Sequence, residues 1–293
     1  MGFDTAYESI SEESDSGHRW AFGTGFTDPL AGVDTSVPAG VDGADLAAYC
    51  LMLGDDALIM SHRLQQWLAR APELEEETAL ANIALDLLGQ ARLLLTRAGT
   101  ADGSRRTEDD YAFGRTDREF RNVRIAEVAD TDFAGLVARL LVFSTWRLAL
   151  LVRLRGSADP VVAAVAAQGV KEITYHRDYA AQWVIRLGDG TDYSRQRMEA
   201  GLAAVAPLVA ELFAPSAVEE RLAGVAVNPA ELRAEFDAVL AQVLAEAGLD
   251  RPEVGGLAGV SGLSGRDGVH TEAMGYLIAE MQSVARATPG ATW

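Results

Sequence analysis

The chain has 293 residues, of which 49% are hydrophobic and 23% are charged, a composition typical of a globular protein. Its formal net charge of −18 argues against a nucleic-acid partner, because binding to phosphates needs a basic surface. Cys50 is the single cysteine, so neither an intrachain disulfide nor a cysteine-based zinc site is expected. Alanine, leucine, glutamate and arginine dominate, and these residues favour helices. We therefore expect an all-α protein.

The first 44 residues differ from the rest of the chain. They are rich in glycine, serine and acidic residues and show no helical periodicity, which predicts a mostly disordered acidic tail. Its aromatic residues Trp20, Phe22 and Phe26 leave docking on a surface as an alternative. We expect the folded domain to comprise residues 45–293.

From Asp45 onward, capping residues, prolines and glycines divide the chain into helices. A polar N-cap and a first-turn proline favour the start of a helix, and glycine favours its end. This pattern predicts helices over residues 45–69, 72–98, 132–155, 159–187, 191–213, 228–248 and 271–287. Residues 100–131 and 255–268 are predicted to be irregular connections.

Four of the predicted helices are long, at about 23 to 28 residues each, or roughly 35–42 Å. Short links join the first helix to the second and the third to the fourth, while residues 100–131 separate the two pairs. Two antiparallel hairpins joined by one crossover are typical of the ferritin-like four-helix bundle. The predicted fold is that bundle with additional C-terminal helices.

The most apolar stretch, residues 133–154, raises the question of a membrane span. Arg139, Arg147 and Arg153 interrupt it, and three arginines are too costly for an isolated span. We interpret it as a buried helix, with no membrane partner. Because the N-terminus lacks a basic segment followed by an apolar one, no secretory signal is expected and the predicted location is the cytoplasm.

A ferritin-like bundle also raises the question of a metal centre. The di-iron type uses one glutamate from each of two helices and a Glu-x-x-His motif from each of the other two, because residues three apart share a helix face. None of the four histidines has a glutamate three positions before it; Asp15, Ile59, Ile173 and Asp267 stand there. We expect no metal ligands of this kind, no cofactor-binding residues and no catalytic residues.

Polar residues nevertheless fall among the apolar turns of two long helices. The six candidates are Asn82, Asp86 and Gln90 on the second helix and Lys171, Glu172 and His176 on the fourth. One hypothesis is a vestigial polar centre inside the bundle, where a metal would otherwise lie. The alternative is a set of hydrogen-bonded residues near a helix contact or on the solvent face.

Several segments, in order along the chain, resemble one known family. They are residues 70–74 (RAPEL), 79–92 (ALANIALDLLGQAR), 171–176 (KEITYH), 268–272 (GVHTE) and 279–282 (AEMQ), followed by Trp293. This combination resembles the C subunits of phenylacetyl-CoA epoxidase, also called phenylacetate-CoA oxygenase (the PaaC family). The resemblance covers roughly residues 45–293 and leaves out the tail.

The resemblance implies membership of a monooxygenase complex of aerobic phenylacetate catabolism. That complex forms the ring 1,2-epoxide of phenylacetyl-CoA with O₂ and NADPH. The resemblance further implies that a sibling A subunit holds the di-iron centre and binds the CoA ester. A small B subunit bridges pairs, and a reductase supplies electrons through FAD and an iron–sulfur cluster. The PaaC-type chain is then a structural partner of the A subunit without a cofactor of its own.

The resemblance also places the metal ligands of the sibling on this chain. The six positions are Leu87 and Gln90, Ile173 and His176, Ala57 and Ser144. Only the histidine keeps the residue type of a ligand, and such a set does not hold two irons at ordinary affinity.

Three hypotheses remain open at this point. The first is a non-catalytic structural subunit of the epoxidase. The second is a metal-dependent enzyme with a non-standard site made of Asp86, Glu172 and His176. The third is a helical module that binds an acyl-CoA, although the sequence offers no cationic cluster for the CoA phosphates.

Overall fold

The computed structural model describes residues 30–256 and 262–291, and the fold below is that of the compact unit from Val33 onward. Residues 1–29 of the predicted tail, and Trp293, lie outside the described residues. The described part is helical and contains no β-strand. Its α-helices are α1 (Gly43–Gln65), α2 (Leu74–Ala101), α3 (Glu108–Phe113), α4 (Phe133–Leu154), α5 (Pro160–Gly188), α6 (Asp192–Val205), α7 (Ala217–Arg221), α8 (Arg233–Glu246), α9 (Glu272–Met281) and α10 (Ser283–Ala287). Short 3₁₀ helices cover Asp117–Glu119, Arg124–Ala126, Ala206–Phe213, Pro229–Leu232 and Gly265–Asp267.

The four long helices form a bundle of two pairs, as predicted. Helix α1 packs along α2 and α4 packs along α5, while α2 meets α5 between the pairs. Helix α6 packs on α4, and α8 contacts both α4 and α5. The all-α, ferritin-like prediction is therefore confirmed, with extra helices packed on the α4–α5 pair.

Carboxylates cap three of the four long helices. Asp42 accepts hydrogen bonds from the backbone N–H groups of Ala44 and Asp45, so α1 begins two residues before its predicted start. Asp132 caps α4, and Asp159 caps α5 ahead of its first-turn proline, as the sequence predicts.

The predicted end of α2 at residue 98, ahead of Gly99, is wrong. The helix continues to Ala101, and the chain turns at Gly103, whose φ is +71°. Gly99 has a different reason to be glycine. A Cβ there would lie 2.0 Å from the carbonyl oxygen of Arg106, so the position permits a close backbone approach.

The crossover between the helix pairs is far less irregular than predicted. It contains α3 and two 3₁₀ turns, and its side chains at Phe120 and Ile125 are fully buried. Two carboxylates from α1 accept hydrogen bonds from backbone N–H groups of the crossover. Asp55 accepts from the N–H of Arg121, and Asp56 accepts from the N–H of Val123, both at 2.8 Å. Sequence composition alone does not reveal such partners.

Three later helices are shorter than predicted, and the one predicted over residues 228–248 is 3₁₀ over Pro229–Leu232 and α only over Arg233–Glu246. The segment over residues 191–213 changes from α to 3₁₀ geometry at Ala206, next to Pro207, which has no N–H to donate. The last predicted helix is interrupted at Gln282, between α9 and α10. The side chain of Gln282 instead donates to the carbonyl oxygens of Ala112 and Arg115 and ties this end of the chain to the crossover.

By length and composition alone, three helical stretches could cross a membrane: residues 74–101, 133–154 and 192–221. In the most apolar window of α4, 89% of the residues are buried inside the protein. Burial among the other helices therefore accounts for the apolar character of α4, and Arg139 and Arg147 are buried with it.

Candidate functional site

The six positions at which the resemblance places the metal ligands of the sibling are all buried. Three of them, Ala57, Leu87 and Ile173, are fully buried apolar side chains with no ligand atom. The hydroxyl of Ser144 donates to the carbonyl oxygen of Leu140 at 2.6 Å, within its own helix. Within residues 30–256 and 262–291, no three His, Cys, Asp or Glu side chains are grouped so as to hold a metal ion. The side chains present do not fit a di-iron centre.

The fifth position, Gln90, is the centre of a buried hydrogen-bond network. Its Oε1 accepts from Nε of Arg147 at 3.0 Å and from Nη2 at 2.9 Å, and its Nε2 donates to Oε2 of Glu172 at 2.8 Å. The guanidinium carries only donors, so the amide oxygen has to face it. Nη1 of Arg147 also donates to the carbonyl oxygen of Leu53, at 3.4 Å. We call Glu172, Gln90, Arg147 and the Leu53 carbonyl the central bridge.

The central bridge joins all four long helices. Leu53 belongs to α1, Gln90 to α2, Arg147 to α4 and Glu172 to α5. Glu172 is partly exposed and also accepts from Gln168 one turn earlier, at 2.8 Å. The bridge therefore runs from the surface of α5 to the centre of the bundle.

Arg147 is the fully buried end of this bridge. Burial lowers the pKa of its guanidinium to about 10, an effect that the charge of Asp56 partly opposes. The group therefore stays protonated at neutral pH. Asp56 is itself buried and forms a bidentate ion pair with Arg266, with its oxygens 2.9 and 2.8 Å from the guanidinium nitrogens.

A glycine makes room for the bridge. On α5, a Cβ at Gly169 would lie 2.8 Å from Cδ1 of Leu151 and 3.2 Å from the amide group of Gln90. A side chain at residue 169 would require the end of Leu151 and the Gln90 amide to shift. The small residue in an otherwise apolar turn of α5 is therefore part of the site.

The sixth position, His176, takes part in a separate contact. Its Nε2 lies 3.0 Å from Oδ2 of Asp86, and the imidazole is buried while 37% of the Asp86 side chain is exposed. This pair again connects α2 with α5. Asn82 and Lys171 lie on the exposed surface. Of the six candidates, the structure thus brings together Gln90 with Glu172 and Asp86 with His176.

A second buried polar cluster was not predicted from the sequence. It holds the crossover and the segment before α9 against α1. It consists of the ion pairs Asp55–Arg115, Asp56–Arg266 and Glu127–His270. The one available signal was the Asp55-Asp56 dipeptide in the middle of an apolar helix, since buried acids need partners.

His270 and Glu127 form the part of this second cluster that holds the segment before α9. Nδ1 of His270 lies 2.7 Å from Oε2 of Glu127, and Nε2 lies 3.1 Å from the carbonyl oxygen of Phe120. Glu127 also accepts from the side chain of Asn122 and from the N–H of Thr271. Burial lowers the pKa of His270, but the hydrogen bond and the charge of Glu127 outweigh it and raise the pKa above its usual value.

These polar groups satisfy one another rather than facing an open cavity. The described surface does contain a pocket of about 570 Å³, whose lining includes Arg153, Glu219 and Glu231. None of the six candidate residues lines that pocket. The central bridge connects the four long helices.

Fold and site together define a class of protein: a ferritin-like helical bundle whose centre holds a guanidinium and an amide in place of a carboxylate and histidine cluster. The chain belongs to the phenylacetic acid catabolic protein family, which matches residues 34–293. It is 41% identical over 250 residues to the C subunit of 1,2-phenylacetyl-CoA epoxidase from Escherichia coli strain K12. That alignment covers 85% of this chain and 99% of the relative. The resemblance inferred from separate sequence segments is thereby confirmed.

Proposed function

We propose that this chain is the non-catalytic structural subunit of a ring-1,2-phenylacetyl-CoA epoxidase in aerobic phenylacetate degradation. The observation that carries the proposal is the filling of the metal-ligand positions by buried apolar residues, at Ala57, Leu87 and Ile173. The similarity to the C subunit of an epoxidase supports the assignment to this complex. In this role the chain acts in the cytoplasm.

The proposal assigns the chemistry to other subunits. A catalytic A subunit supplies the di-iron centre, a small B subunit bridges pairs, and a reductase supplies electrons from FAD and an iron–sulfur cluster. This chain holds none of these cofactors and pairs with the catalytic subunit. Permanent partners of this kind typically bury more than about 2,000 Å².

The surface of the second and fourth long helices offers apolar area for such a partner. Leu85 on α2 is 47% exposed and Tyr175 on α5 is 50% exposed. Gly89 lies on α2, one helical turn after Leu85, and a Cβ there would meet no atom within 4 Å. An interior helix glycine without an internal contact is costly to the free chain, which supports close approach by another molecule.

Metal content tests the proposal. The chain is purified alone and then after co-expression with the A subunit, and iron is measured in both samples. We expect no iron in the isolated chain and about two irons per heterodimer, as a di-iron bundle requires. Two irons in the isolated chain would overturn the proposal.

A second measurement addresses the non-standard metal site of Asp86, Glu172 and His176. His176→Ala removes its one imidazole, and His62→Ala, on α1, serves as the matched control. We expect both complexes to keep the specific epoxidation rate of the wild type once equal amounts of assembled complex are compared. A loss of activity confined to His176→Ala would favour an enzymatic role for this chain.

A further inference from the structure

A buried cation lies in the centre of this bundle, where the fold class usually holds metal ions. In di-iron bundles the ligands project inward from all four helices and join at two cations. In this chain the guanidinium of Arg147 is fully buried, and its hydrogen-bond acceptors come from α1 and α2. Glu172 extends the same network to α5. All four helices are therefore joined at one fixed positive charge.

In the part of the chain that the structure describes, Arg147 forms no direct ion pair. Among the described residues, its acceptors are the amide oxygen of Gln90 and the backbone oxygen of Leu53, and neither carries a charge. Arg139, on the same helix, instead forms a bidentate ion pair with Asp130. The positive charge at Arg147 is balanced only at a distance, by Asp56 and Glu172.

We propose that Arg147 is an internal replacement for the metal. Its guanidinium joins the four helices from inside, as coordinated ions do in di-iron bundles, and its charge keeps divalent cations out of the bundle centre. This inference rests on the fold and on the central bridge. It does not depend on which protein the chain pairs with.

The charge, and not only the missing ligands, accounts for the exclusion of metal. A divalent cation beside a buried guanidinium is repelled in a medium where charges are poorly screened. The nearby carboxylate of Glu172 is turned toward the amides of Gln90 and Gln168. Restoring a carboxylate at residue 90 is therefore not sufficient for metal binding while Arg147 remains.

Two variants of the full chain separate these effects. Gln90→Glu places a second carboxylate opposite Glu172 but leaves Arg147 beside it. The double variant Q90E/R147M has the same two carboxylates and no guanidinium. Thermal unfolding of each is measured with EDTA and then with millimolar MnCl₂. We expect MnCl₂ to raise the Tm of the double variant by several degrees and to leave that of Gln90→Glu unchanged.

The other buried arginine of α4 provides the matched control. Q90E/R139M also loses one guanidinium from this helix, but that group contacts Asp130 and has no hydrogen bond to Gln90. We expect it to lose stability without gaining a response to MnCl₂. A manganese response in Gln90→Glu equal to that of Q90E/R147M would overturn the proposed exclusion by charge.

The joining role has a separate readout. Arg147→Met leaves the Gln90 oxygen unpaired in the core and is expected to lower the Tm by about 2–10 °C in a chain of this size. Arg147→Lys keeps the charge but loses the fork that reaches Gln90, so the Tm falls while Q90E/R147K still shows no manganese response. Unchanged Tm values for both substitutions would contradict the joining role. If Arg147→Met does not fold, Arg147→Lys still tests the joining of the helices, and Q90E/R147K still tests the exclusion of metal.

Discussion

At the residue scale, two glycines in long helices have opposite surroundings. Gly169 faces Leu151 and Gln90, whereas Gly89 faces open space. We predict that Gly169→Ala lowers the free energy of unfolding by about 1–2 kcal/mol, because the added methyl group overpacks the core. Gly89→Ala, the matched control, should raise it by about 0.5–1 kcal/mol through helix propensity. Urea unfolding of both variants checks this, and equal effects would contradict the role of Gly169 in seating the central bridge.

His270 gives the protein a predictable pH response. Both ring nitrogens face acceptors, so the protonated ring is the form that satisfies both. Its folded pKa is raised above the unfolded value of about 6.5. The stability it contributes is therefore fully present below about pH 6.5 and is lost as the pH rises through the folded value. His270→Gln should remove this dependence.

The check is the difference in unfolding free energy between wild type and His270→Gln, measured from pH 5.5 to 9. We expect the difference to shrink as the pH rises above about 6.5. Asp55 and Glu127 are the charged groups that influence His270, and both are ionic partners within the same cluster. A difference that stays constant with pH would show that His270 does not change its protonation in this range.

At the element scale, the crossover between the helix pairs depends on the acids of α1. Asp55 holds Arg115 through two hydrogen bonds and also accepts the N–H of Arg121. Breaking a buried pair leaves one charge without a partner, so Asp55→Asn should cost about 3–5 kcal/mol. Hydrogen exchange should accelerate first in residues 115–123.

The exposed ion pair between Arg221 and Asp45 is the control for Asp55→Asn. It also connects α1 to another helix, α7, but it is in contact with solvent. Arg221→Ala should therefore leave the free energy of unfolding nearly unchanged. Comparable losses in the two variants would mean that burial does not set the strength of these pairs.

Features that depend on neighbouring residues could be predicted from the sequence, whereas features that depend on distant segments could not. The N-caps Asp132 and Asp159 act within one turn of chain, so local pattern predicts them. Gly99 was misassigned as a helix end because its real constraint, the backbone of Arg106, lies in another segment. A Glu-x-x-His motif spans four consecutive residues, so the sequence alone shows that the chain has none. The role of Arg147 was not, because its acceptors lie on two other helices.

At the scale of the whole molecule, the four long helices are unequally covered. In the most apolar window of α2 only 44% of the residues are buried, against 89% for α4. An apolar surface left open on a long helix is typical of a partner site. If the proposed pairing covers it, the catalytic subunit has a matching apolar surface of its own.

We therefore predict that the catalytic subunit is less stable without this chain. Its Tm should rise on addition of the purified chain in equal amounts, because binding to the native state shifts unfolding by mass action. An unrelated helical bundle of similar charge serves as the control protein. A catalytic subunit that is equally stable and fully active alone would contradict the structural role.

The arginine-rich composition also makes this chain convenient to label. Lys171 is its one lysine, and it lies on the exposed side of α5. Cys50 is its one cysteine and is buried in α1, where burial raises the pKa of the thiol and keeps it unreactive. Amine-reactive dyes and cross-linkers therefore modify one lysine, at a known place on α5, besides a free α-amino group at the N-terminus. Loss of Lys171 reactivity on mixing with one purified partner would show that this partner covers the helix.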